Sequence, residues 1–162
     1  MKSMGRHISS SALMLLLAAA PAAAQVPADF QGDWVPAAAT CDSPARARIE
    51  AARLTLLNAA DKEAFAGIEM AGPSYFGPGY NGIQAVLITE FEGAQPVTAT
   101  FNLDEKKGVA QLELGVPTPA HPANKVAQAS NARLTKLNLR KRFPLQNIPL
   151  KRCPTVRQGT GR

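Results

Sequence analysis

Apolar and polar side chains alternate with a period of two in the middle of this 162-residue chain, and this pattern restricts the fold more than any other feature. Along 97–103 every second residue is apolar, and Thr98, Thr100 and Asn102 lie between them. Such a period is typical of a β-strand with one buried and one wet face. The β-rich runs 83–91 and 109–114 flank it, separated by turn-forming residues. The sequence therefore predicts a mainly β fold, an antiparallel meander that forms a barrel or a sandwich.

Shorter elements are predicted on both sides of this meander. They are, in chain order, strands over 30–35, 48–57 and 65–70 and a C-terminal helix from about 124 to 142. Pro36 and Pro144 end the first and the last of them, because proline cannot donate a backbone hydrogen bond. The stretch 48–57 is ambiguous, since Ala51 and Ala52 would also suit a helix; we interpret it as one strand.

The first 24 residues have the pattern of a cleavable secretory signal peptide. Lys2 and Arg6 precede an apolar stretch, 8–20, that is shorter than the roughly 20 residues of a spanning helix. The alanines at 22–24 predict cleavage before Gln25. We therefore expect a periplasmic or secreted protein without a membrane span. The predicted organisation is a signal peptide over 1–24, one β-rich domain over 25–154 and a disordered tail over 155–162.

Cys41 and Cys153 are the two cysteines of the chain. In an oxidising compartment such a pair predicts one disulfide that joins the two ends of the domain. The loop it closes holds 111 residues, for which the chain-entropy model gives at most about 4.7 kcal/mol of stabilisation. Two free buried thiols are the alternative. No metal site or cofactor is expected, because His121 is the one histidine beyond the signal peptide.

Charge is distributed unevenly along the chain. Residues 25–124 have a net charge of −6, whereas 125–162 contain ten basic and no acidic side chains. Five of these are candidate anion-binding residues: Arg140, Lys141, Arg142, Lys151 and Arg152. They could hold phosphates of a lipid headgroup or acidic glycans, or they could form a solvated face near a helix C-terminus. A nucleic-acid partner is not expected of an exported chain with one Trp and two Tyr for stacking.

An aromatic loop rich in Gly and Pro extends over 71–82. Its rings, Tyr75, Phe76 and Tyr80, are candidate ligand-binding residues, because aromatic side chains provide contact area at low entropic cost. The alternative is that these rings fold back as a cap on the core.

The tripeptide Gly32-Asp33-Trp34, on the first predicted strand, resembles the first motif of the lipocalins and their calycin relatives. The resemblance covers three to five residues. It implies an eight-stranded barrel around a small apolar ligand, with Trp34 closing the base of the barrel as a core residue. The alternative is that Trp34 is a buried residue of an ordinary β core, without kinship to this family.

Catalytic motifs are not recognisable in the sequence. It contains neither a Gly-x-Ser-x-Gly elbow nor a His-Glu-x-x-His helix. His121 is a possible general base, and Glu90 and Glu92 would share a strand face, where such pairs usually face water. The sequence thus favours a non-enzymatic exported binding module for a small apolar ligand or a protein partner. The alternatives are an envelope-associated protein that binds anionic surface polymers and a small hydrolase.

Overall fold

Antiparallel strands form a single curled sheet, a nearly closed barrel, in this computed structural model. The structure describes residues 25–71, 85–102 and 108–154. The strands in these ranges are β1 (Gly32–Pro36), β2 (Arg46–Glu50), β3 (Arg53–Asn58), β4 (Asp61–Phe65), β5 (Gly67–Ala71), β6 (Ala85–Glu90), β7 (Val97–Phe101), β8 (Val109–Leu114) and β9 (Pro149–Arg152). A short 3-10 helix (Ala28–Phe30) precedes them, and α1 (Lys125–Leu137) and α2 (Leu139–Arg142) lie between β8 and β9. The expectation of a mainly β fold with a C-terminal helix is confirmed.

Two meanders, β1 to β4 and β5 to β8, are joined by the last strand of the chain. Strand β9 pairs antiparallel with β1 on one side and with β8 on the other. Sequence patterning does not predict β9, because only Leu150 of its four residues is a buried apolar side chain. Its position depends on partners that are distant in sequence.

The chain changes partner in the middle of a long bent stretch, 61–71. Strand β4 pairs with β3 and β5 pairs with β6, and only Ala66 separates them. Gly67 allows the close approach at the bend, since a Cβ there would lie 3.0 Å from the backbone oxygen of Glu90. The single strand predicted over 65–70 is therefore replaced by β4 and β5, which connect the two edges of the sheet.

Two other elements differ from their predictions. Residues 48–57 form a hairpin rather than one strand, because Ala51 and Ala52 are the turn between β2 and β3. The C-terminal helix is interrupted at Asn138, whose left-handed backbone (φ 47°, ψ 43°) ends α1 and begins α2. Asparagine adopts this conformation more readily than most side chains.

The strands bury one face, as their period predicts. In β7, Val97, Ala99 and Phe101 are buried while Thr98 and Thr100 are partly exposed. The rings of Phe30 and Phe101 stack at 4.6 Å, and the Trp34 indole lies 5.3 Å from Phe101. The indole Nε1 of Trp34 donates to the Phe30 carbonyl (2.9 Å), so Trp34 is a core residue with its polar atom satisfied.

The two helices cover one end of the barrel, which we call the helix end. Asn58, at the end of β3, donates to the Arg142 carbonyl (2.7 Å), and Arg140 donates to the carbonyl of Leu114 at the end of β8 (3.0 Å). Apolar side chains from α2 and the residues after it enter the core: Leu139, Phe143 and Leu145. The inside of the barrel is thus packed with side chains from the sheet and from the helical segment.

The predicted disulfide is confirmed. Cys41 and Cys153 are bonded, with their Cα atoms 5.7 Å apart, and the Cys153 amide donates to the Asp33 carbonyl (2.7 Å). The bond joins the loop after β1 to the end of β9. A disulfide is compatible with a periplasmic or extracellular location. Among the residues described, no helix combines the length and hydropathy needed to span a bilayer.

Three predictions fall outside the described residues. They concern the signal peptide over 1–24, the tail over 155–162 and the aromatic loop with Tyr75, Phe76 and Tyr80. Gly108, immediately before β8, has a positive φ (78°), as glycine at a turn readily does.

Candidate functional site

A groove runs between α1 and the end of β8, at the helix end of the barrel. Two adjoining depressions of about 260 and 380 Å³ form it, and both are lined by Gly115, Val116, Leu134 and Arg140. We call it the helix groove. Val116 is 37% exposed, so the groove offers apolar surface beside a charged side chain.

Gly115 determines the shape of the helix groove. A Cβ at this position would lie 2.8 Å from the Gln95 carbonyl oxygen and 3.1 Å from a methyl group of Leu134. The Gly115 amide also donates to the Pro96 carbonyl (2.8 Å). Only glycine therefore lets β8 end close to both the turn before β7 and the buried side of α1.

Arg140 is oriented by the backbone and keeps donors available. Its Nε donates to the Leu114 carbonyl (3.0 Å), whereas its two terminal nitrogens have no acceptor within the described parts of the chain. A guanidinium can bind a carboxylate through two parallel hydrogen bonds. Arg140 is thus placed to recognise an acidic group at the edge of an apolar surface.

A Pro-rich segment, residues 116–122, follows β8, and its first three residues line the helix groove. The side-chain amide of Asn131 in α1 binds both backbone groups of Thr118: the Thr118 amide donates to Oδ1 (3.0 Å) and Nδ2 donates to the Thr118 carbonyl (2.6 Å). Gln128 Nε2 donates to the Pro122 carbonyl (2.7 Å). Asn124 then caps α1 by accepting from the Ala127 amide (3.0 Å). The segment is fixed along α1 by side chains of the helix itself.

Arg142 binds carboxylates of this chain. It forms a forked pair with Asp61 (2.9 and 2.7 Å), and its remaining nitrogen reaches Glu63 (2.8 Å), both on β4. The hydrogen bond from Arg142 is the main reason that the pKa of Asp61 lies below its ordinary value of 3.8. The hydrogen bonds to Asp61 and Glu63 likewise raise the pKa of Arg142. Arg142 therefore fastens α2 to the sheet edge.

The other predicted anion-binding residues lie in separate places. Arg152 donates to the Asp29 carbonyl (2.8 Å) beside the 3-10 helix. Lys151 is half-buried on β9, and Lys141 is exposed on α2. Neither lysine has an ion pair within 25–71, 85–102 or 108–154. That these residues bind an anion stays a prediction, and Arg140 and Lys141 are the adjacent pair on α2.

A second cleft, of about 430 Å³, lies beside the disulfide. Asp33, Arg48 and Glu50 line it together with Cys41 and Cys153. Asp33 and Arg48 form a forked pair (2.7 and 3.0 Å), and this hydrogen bonding is the main cause that lowers the pKa of Asp33. Asp33 and Arg48 neutralise each other. The cleft beside the disulfide therefore offers a ligand fewer free hydrogen-bonding groups than the helix groove, where Arg140 keeps donors available.

The candidate catalytic side chains are those of His121, Glu90 and Glu92. No contact within the described parts of the chain brings them together into one site. Strand β6 ends at Glu90, and Glu92 lies in the following turn with φ 50°, so the expectation that they share a strand face is wrong. Glu92 pairs with Arg133 (3.1 Å), and His121 Nδ1 accepts from the Ala123 amide (3.2 Å). Within the described residues no group of three potential ligands could hold a metal ion.

Sequence reasoning does not find the helix groove, although the Pro-rich segment that begins at its edge is visible in the sequence. The groove depends on α1 packing against the end of β8, which no local pattern specifies. Comparison with protein-family models, with curated proteins and with solved structures gives no match for this chain.

Proposed function

We propose that this chain is an exported, non-enzymatic binding module that recognises a protein partner at the helix groove. In this proposal residues 1–24 are a signal peptide and the domain acts in the periplasm or outside the cell. The disulfide supports that location, because such bonds persist in oxidising compartments. A nearly closed antiparallel barrel agrees with a calycin-like fold only in a coarse way.

The packing of the barrel supports recognition at the surface rather than in the interior. A calycin holds its ligand inside the barrel, whereas here Phe143 and Leu145 fill the helix end, and Phe101 packs against both Phe30 and Trp34 within the core. A filled core has few voids as large as a small molecule. A partner would therefore bind to the outer surface of the barrel.

The single observation that carries the proposal is Arg140 with free donors beside the exposed Val116. Arginine at the edge of an apolar patch is a common centre of binding energy in protein interfaces. An acidic group of the partner would accept from its terminal nitrogens, while an apolar side chain would cover Val116 and Leu134.

Site-specific photo-crosslinking in the cells that make the protein tests this proposal. A photoreactive phenylalanine analogue replaces Thr135, which lines the helix groove, or Ala132, which is exposed on α1 outside it. We expect a defined protein adduct at 135 and none at 132. Arg140→Ala should reduce the adduct about tenfold, while the neighbouring Lys141→Ala should leave it unchanged. Equal adducts at both positions, or none at 135, would contradict the proposal.

Binding of anionic surface polymers is a second candidate function. The net charge of +10 over 125–162 and the adjacent exposed side chains of Arg140 and Lys141 favour it. Here Lys141→Ala and Arg140→Ala should weaken binding to anionic vesicles equally, and binding should fall steeply as salt is raised. Vesicle binding that is independent of salt would rule this candidate out.

A further inference from the structure

We propose that the Pro-rich segment is a preformed ligand for a partner domain whose groove is lined with aromatic side chains. This inference rests on the proposed function and names the chemistry of the partner. Proline-rich strips are recognised in this way because each ring lies flat against an aromatic side chain and little chain entropy is lost on binding.

The amino-acid sequence restricts the backbone of nearly the whole segment. Pro117, Pro119 and Pro122 fix their own φ near −65°. Val116, Thr118 and His121 each precede a proline, which excludes most of the helical region for them. The five residues 116–119 and 121 are therefore held near extended or polyproline II geometry. Ala120 is unrestricted, and Pro122 is the first corner of a turn in which the Asn124 amide donates to the His121 carbonyl (2.8 Å).

The fold adds a second restraint, on the side that faces α1. Asn131 occupies both backbone groups of Thr118, and Gln128 occupies the carbonyl of Pro122. The segment is thus attached to a rigid helix at two points. Ordering a flexible loop on binding lowers affinity, so a segment already fixed in its bound shape binds more tightly.

The outer side of the segment is open to a partner. Six of its residues are exposed and the seventh, Ala120, is partly exposed. Pro119 and Pro122 are three residues apart, the repeat of a polyproline II helix, and rings at this spacing lie on the same side of such a helix. This is the Pro-x-x-Pro spacing that aromatic grooves accept.

The positive charge that follows the Pro-rich segment indicates which side chains should surround the aromatic groove of the partner. Lys125 follows the segment, is exposed and has no ion pair in the described ranges. The chain from 125 onward contains basic residues and no acidic ones. A groove with an acidic rim would be attracted to this region and held in one direction along the strip.

Crosslinking from the segment itself tests the inference. The photoreactive phenylalanine analogue at Thr118 should form an adduct whose partner peptide carries clustered Trp or Tyr and nearby Asp or Glu. The double variant Pro119→Ala/Pro122→Ala should lower the adduct yield, and the affinity of the purified partner, about tenfold. Pro44→Ala, at an exposed proline elsewhere, is the matched control and should change neither. Asn131→Ala should weaken binding by a smaller factor, because only the attachment to α1 is lost.

Three outcomes would overturn the inference: no adduct at 118, an adduct insensitive to the double proline variant, or a crosslinked surface without aromatic residues. An adduct that persists at Thr135 in those cases would leave the proposed function in place and remove only the Pro-rich ligand. Loss of adducts at both positions, with circular dichroism unchanged, would remove both.

Discussion

Gly115 is the residue that lets the end of β8 pack closely against α1 beside the helix groove. At Gly115 a methyl group would meet a backbone oxygen and a buried leucine at once, and neither can move freely. We expect Gly115→Ala to reduce the free energy of unfolding by about 1–3 kcal/mol, the usual cost of overpacking. Urea denaturation of the two proteins measures this difference. Unchanged stability would mean that the end of β8 can shift away from α1.

Asn138 separates α1 from α2 by adopting the left-handed conformation. We expect Asn138→Gly to be tolerated, because glycine enters this region without a Cβ clash, and Asn138→Val to lower the melting temperature clearly. Differential scanning calorimetry of the two variants compares them directly. Equal melting temperatures would show that the backbone at 138 does not need a positive φ.

At the scale of elements, the contact between α2 and β4 makes stability depend on pH. The folded pKa of Asp61 is lowered, so this carboxylate stabilises the folded state above its unfolded pKa, near 3.8. That contribution disappears as the pH falls through the lower, folded value. We therefore expect the melting temperature to fall between about pH 4 and pH 2, and to fall less in Arg142→Met. Identical acid profiles for the two proteins would contradict this role, and Lys141→Met is the matched control.

Elements with their own hydrophobic period could be predicted, whereas those defined by distant partners could not. Strands β6, β7 and β8 follow from alternation and from turn-forming residues at their ends. Strand β9 has a single buried apolar residue, and it exists because β1 and β8 offer it hydrogen bonds on both sides. Likewise Ala51 and Ala52 suit a helix by propensity, but pairing of Glu50 with Arg53 makes them a turn.

The candidate site was predictable only in its parts. Arg140 and the prolines are visible in the sequence, but five basic residues close together in sequence point to different surfaces. Arg142 reaches β4 and Arg152 reaches the 3-10 helix, because α2 and β9 lie at different positions in the fold. Charge patterning therefore identified a basic region without distinguishing free side chains from those engaged inside the molecule.

For the whole molecule, the disulfide connects the loop after the first strand of the chain to the end of the last strand, and these two strands are neighbours in the middle of the sheet. We expect the double variant Cys41→Ser/Cys153→Ser to lose about 2–5 kcal/mol of unfolding free energy, since a bond across 112 positions restricts the unfolded chain strongly. Guanidinium denaturation of the oxidised protein, the reduced protein and the variant measures it. The reduced protein and the variant should agree, and equal midpoints for all three would contradict the prediction.

Strand β9 also dictates an order of events during folding. Until residues 149–152 have been synthesised, the edges of β1 and β8 lack the neighbour that unites them, and two incomplete half-sheets coexist. Contacts between segments that are distant in sequence form slowly. In the meantime the unpaired edges of β1 and β8 are exposed to pairing with strands of other chains. A polypeptide of this topology thus cannot complete its sheet until its last strand has emerged from the ribosome.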